Sequence, residues 1–105
     1  MATKSKTIGF VKTSFGKGEI IRSSYTNNNA VAVMVNHAVT EEPLWTLSVN
    51  ILNPWYQLKE NEFFVKTWSE NEEIVRVCKA SGLFEDTGER ELTGYCEAEV
   101  WKIVG

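Results

Sequence analysis

The chain has 105 residues, 43% of them hydrophobic and 24% charged, with four Trp, five Phe and three Tyr. That is too apolar for a disordered chain and too short for two independent cores. The net charge of −3 is uneven, because residues 1–56 hold five Lys or Arg against three acids and residues 57–105 hold six against eleven. Direct DNA or RNA binding is therefore disfavoured: only Lys4, Lys6, Lys12, Lys17 and Arg22 are available to build a basic face, and they are scattered.

Taken in chain order, residues 1–6 are polar and read as a frayed lead. Ile8, Phe10, Val11 and Phe15 favour a strand over 7–15, and Gly16-Lys17-Gly18 then reads as a tight reversal into a second strand over 19–25. Thr26-Asn27-Asn28-Asn29 is a turn, since Asn tolerates the left-handed region. It leads into Ala30 to Val35, apolar on both faces, which fits a strand in the middle of a sheet. After the polar stretch to Pro43, the alternation of Trp45, Leu47, Val49 and Ile51 with Thr46, Ser48 and Asn50 is the clearest strand signal in the chain.

Asn53-Pro54 marks a turn, and Trp55, Tyr56 and Leu58 follow in a connecting loop. Phe63, Phe64 and Val65 predict a short strand over 62–67. Ser69-Glu70-Asn71-Glu72 matches a capping box, and Ile74, Val77 and Cys78 form an apolar stripe, so a helix is expected over about residues 70–81 with Gly82 just past its end. Residues 85–93 read as a polar loop and 95–104 as a last strand. The expectation is one α+β domain over residues 1–105: an antiparallel-rich sheet of five to six strands with one main helix packed on one face. The longest apolar run, from Ala30 to Val35, is far shorter than the ~20 residues of a membrane helix, and no signal peptide is evident, so a cytoplasmic protein is expected.

Chemistry-bearing motifs are sparse. His37 is the sole histidine, and with Cys78 and Cys96 it makes neither a nucleophilic set nor a four-ligand zinc site, so no metal and no cofactor are expected. The two cysteines are read as free thiols. Phe15-Gly16-Lys17-Gly18 lacks a phosphate-binding spacing. Acids at the start of a helix are favoured by its dipole and loop acids are ordinarily solvated, which leaves no catalytic pair to name. Trp55, in the Pro-containing loop, is the tryptophan best placed for an exposed contact.

The segments Phe63-Phe64-Val65-Lys66-Thr67-Trp68-Ser69-Glu70-Asn71-Glu72-Glu73, Ser81-Gly82-Leu83-Phe84-Glu85-Asp86-Thr87-Gly88 and Thr93-Gly94-Tyr95 resemble a family of small proteins encoded by phages, prophages and conjugative elements. Trp45 to Asn50 resembles that family's central strand, so the likeness spans about residues 30–104. It implies an accessory protein acting inside a bacterial host cell and carries no catalytic residues. Small accessory proteins of mobile elements are often inhibitors of host defence, anti-CRISPR and anti-restriction proteins among them, and by that analogy of size and origin an inhibitor is expected here. The expected partner is a host protein, a Cas nuclease or another defence nuclease. Glu70, Glu72, Glu73, Glu85, Asp86 and Glu89 would meet its basic nucleic-acid channel, with Trp55 alongside. The alternative is an oligomeric accessory for the element's replication, transfer or assembly, working through a sheet edge.

Overall fold

A computed structural model describes residues 5–104. Among these described residues there are seven strands: β1 (Lys6–Thr13), β2 (Gly16–Ser24), β3 (Val31–His37), β4 (Pro43–Thr46), β5 (Glu62–Val65), β6 (Phe84–Thr93) and β7 (Cys96–Ile103). One helix, α1 (Glu72–Ala80), follows a short 3-10 turn over Ser69–Asn71. The class is α+β, as expected, but the strands form two antiparallel sheets rather than one: β1-β2-β3-β4 and β5-β7-β6. Of the frayed lead expected over residues 1–6, residues 1–4 lie outside the described residues, and Lys6 already pairs with Arg22.

The two sheets share a stretch of chain. Trp45 pairs with Val35 in β3, and the Leu47 and Ser48 amides both donate to the Val33 carbonyl. Ser48 then bridges Val65, and Val49 donates to the Phe64 carbonyl. The alternating segment from Trp45 to Ile51 is therefore a regular strand only as far as Thr46, where it bends out of the first sheet and joins the second. The Ser48 hydroxyl secures the bend by accepting from the Val33 amide and pairing with the Tyr25 hydroxyl. At the far side α1 packs against β1 and β6, filling the gap between the outer strands of the two sheets.

The main core lies between the sheets and α1. It joins Val11, Ile20, Val33, Val35 and Leu47 to Phe63, Val65 and Trp101, with Ile74 and Cys78 from the helix. Phe63, Phe84 and Trp101 meet with ring centroids 5.6–6.4 Å apart in tilted and edge-on arrangements. A smaller cluster of Phe64, Ala98 and Val100 lies on the other face of the second sheet beneath Val49, Ile51, Tyr56 and Leu58. This double cover explains why every residue of β5 is buried.

Three local expectations are corrected. The first hairpin turns at Ser14-Phe15, between the paired Thr13 and Gly16. Gly16 supplies the positive φ of 110°, while Gly18 lies inside β2, where a Cβ would stand 2.9 Å from the buried Val35 side chain. The capping box does not form: Ser69 has φ 60°, and α1 starts after Asn71 with no side-chain cap. Asn71 is instead buried, its amide donating to the Thr46 and Lys66 carbonyls, and these tertiary bonds prevail over the local motif. Third, the polar stretch 85–93 is a strand, because β6 pairs with β7 on one side only and keeps exposed polar side chains. Gly82 does end the helix with φ 81°, as expected, and Leu83 beyond it lies over Gly9.

Candidate functional site

Two buried glutamates organise the surface around the second sheet. Glu62 on β5 and Glu91 on β6 are 6% and 5% exposed, and neither forms an ion pair among the described residues. Each is satisfied by the loop before β5. The Glu91 carboxylate accepts from the Trp55 and Tyr56 amides at 3.1 and 2.8 Å, while Glu62 accepts from the Tyr56 hydroxyl and the Lys59 amide, both at 2.9 Å. Charge-assisted bonds of this kind are the stronger class. Burial first, and the bond to Glu62 second, hold the Tyr56 hydroxyl above its ordinary pKa. The loop is thus fastened to the sheet at both ends of Tyr56.

This fastening leaves the Trp55 side chain outside. Trp55 is 94% exposed, and Leu92, the residue after Glu91, is 71% exposed. Side chains alternate along a strand, so Leu92 and Glu91 point to opposite faces. Tyr95, at the tip of the β6–β7 turn, is fully exposed. Trp55 was singled out from the sequence by its place after Asn53-Pro54; nothing in the sequence distinguishes Leu92 and Tyr95 from residues packed inside.

The six predicted contact acids fall on three elements, Glu70 on the 3-10 turn, Glu72 and Glu73 on α1, and Glu85, Asp86 and Glu89 on β6, and differ in what they are free to do. Glu70 pairs with Lys66 at 2.8 Å, and that bond holds its carboxyl below the usual range. Glu73 accepts from the Ser14 hydroxyl and amide at 2.7 Å, which lowers it likewise and ties α1 to the first hairpin. Asp86 takes a two-pronged bond from Arg90, at 3.0 and 3.1 Å, which lowers its carboxyl. Glu72, Glu85 and Glu89 are exposed and carry no ion pair among the described residues.

Arg90 also approaches Glu99 at 3.8 Å, Lys79 of α1 reaches Glu99 at 3.4 Å, and the Trp101 indole N–H donates to Glu99 at 2.8 Å. This network links β6, β7 and α1. The β6–β7 hairpin as a whole carries six acids against two bases, Arg90 and Lys102.

A groove of about 770 Å³ opens between the β2–β3 turn and residues 49–62. Its polar lining is largely self-bonded: Asn28 donates to Asn50, Asn50 to Asn27, and Arg22 to Asn61. His37, the sole histidine, closes β3, and its Nδ1 accepts from the Val39 and Thr40 amides. No three His, Cys, Asp or Glu side chains gather into a metal-holding group among the described residues, and no helix there is long and apolar enough to cross a membrane.

Fold and surface together define a small α+β domain in which the two most exposed aromatics, Trp55 and Tyr95, lie with an excess of acid on one hairpin and the loop fastened to it, while Phe10 and Phe15 are exposed on the first hairpin. Comparison with protein-family models, with curated proteins and with solved structures found no match.

Proposed function

We propose that this chain is a non-enzymatic, protein-binding accessory of a phage or mobile element, and that its target is a host-defence protein of the Cas-effector type. The exposure of Trp55 supports this reading most directly. A tryptophan that a domain of this size would ordinarily bury is held outside by two backbone bonds from its loop to Glu91. Exposed, rigidly based aromatics are the residues that anchor protein interfaces. The acidic hairpin beside it suits a basic surface such as a nucleic-acid channel, and the resemblance to mobile-element proteins supplies the host context.

The test is a pull-down from the lysate of a bacterial host with wild-type and Trp55→Ala protein, at low and high salt, followed by nuclease assays on whatever is captured. A defence nuclease that is recovered at low salt, inhibited by the wild type and released about tenfold more readily by the variant is the expected result. Capture and inhibition unaffected by Trp55→Ala, or no nuclease inhibited at all, would overturn it.

A second reading, an oligomeric accessory for replication, transfer or assembly, is favoured by the open outer edge of β6. Sedimentation showing a monomer over a wide concentration range would exclude it.

A further inference from the structure

We infer that the outer edge of β6 over Arg90–Thr93 receives an extended, basic segment of the partner as an added strand; this rests on the protein-binding reading above. The sheet order leaves β6 with one neighbour, β7. The turn at Gly94-Tyr95 joins the paired Thr93 and Cys96, and Glu91 lies opposite Ala98. In such a two-residue hairpin the residues next to the turn exchange both backbone bonds, as does every second pair after them. Arg90 and Leu92 therefore turn their N–H and C=O groups away from β7. No backbone partner reaches them among the described residues.

Edge strands are normally blunted, and the first half of β6 is: Thr87-Gly88-Glu89 bulges out of register, with Gly88 at φ 88°. Beyond the bulge the register is regular from Arg90 to Thr93, with no proline and no second bulge. The side chains suit an added strand. Leu92 projects on one face and Trp55 stands by Glu91 on the other, so alternate residues of an incoming strand would each meet an exposed apolar group.

Charge selects the occupant. Glu85, Glu89 and Glu97 carry no ion pair among the described residues, whereas Asp86 and Glu99 are already held by Arg90 and Lys79. A second copy would set one acidic hairpin against another. An extended segment alternating Lys or Arg with apolar residues meets both the acids and the flanking Leu92 and Trp55.

The experiment uses three short synthetic peptides: alternating Lys-Val, alternating Glu-Val, and Lys-Val methylated on alternate backbone nitrogens. Binding is followed by peptide fluorescence anisotropy and by amide NMR shifts of the full chain. The expected result is binding of the Lys-Val peptide alone, weakened in about 0.5 M salt, with the largest shifts at Arg90 and Leu92. Leu92→Pro removes one outward N–H at an edge position where proline is tolerated, and it should weaken the peptide about tenfold.

Equal binding of the methylated peptide, shifts centred elsewhere, or no binding of Lys-Val would each overturn the inference. So would a concentration-dependent dimer that Leu92→Pro abolishes, which would assign the edge to a second copy. A captured nuclease that Leu92→Pro retains but Trp55→Ala loses would reject strand addition while leaving the protein-binding reading standing.

Discussion

Glu62 and Glu91 are buried in the second sheet with no ion pair among the described residues, and a buried carboxylate is tolerated only where hydrogen bonds replace its water. Backbone and hydroxyl donors of one loop do so here. Glu91→Ala leaves the Trp55 and Tyr56 amides without their acceptor and should cost about 2 kcal/mol, with Glu91→Gln costing less; urea denaturation of the two variants measures the difference. The cysteines offer a second check on the same sheet and helix. Burial pushes the Cys78 thiol up to about 12, while Cys96 is half-buried at the hairpin. A thiol reagent at neutral pH should therefore modify Cys96 in the native protein and reach Cys78 only after unfolding.

At the scale of elements, β2 depends on a residue that lacks a side chain. A Cβ on Gly18 would meet Val35 at 2.9 Å and Thr13 at 3.4 Å, and Val35 is fully buried and stiff at its branched carbon. Gly18→Ala should accordingly destabilise by about 1–3 kcal/mol, read from the thermal or urea midpoint, because the core has no room for the added methyl. In the second hairpin, the depressed Asp86 carboxyl contributes stability that is present above its unfolded pKa of ~3.9 and lost as pH falls through its lower folded value. Acid unfolding curves should show that loss below about pH 4, and Arg90→Ala should flatten it, by no more than about 1 kcal/mol for so exposed a pair.

These elements also mark how far the sequence could be read. β1, β3, β5 and β7 follow from apolar and β-branched residues, and α1 from its stripe. β6 reads as a loop because a strand with one neighbour keeps polar side chains in water. Ser69 reads as a cap because its motif is local, whereas the bonds that pin Asn71 come from Thr46 and Lys66. Trp55 was legible from the proline loop before it. The roles of Glu62 and Glu91 were not, because loop and sheet meet across 36 positions for Glu91 and the sequence records no trace of that contact.

Across the whole molecule, the stretch from Pro43 to Val49 belongs to both sheets. Its first half closes against β3, its second against β5, and the Ser48 hydroxyl holds the bend with the Val33 amide and Tyr25. Neither sheet can shed this segment without opening the other. In hydrogen-exchange terms the molecule then has one cooperative unit rather than two: the Val33 and Leu47 amides of the first sheet and the Val49 and Lys66 amides that join it to the second should exchange with the same free energy, that of global unfolding. Distinct exchange classes for the two sheets would show instead that the chain can let go at Ser48 and fold each half by itself.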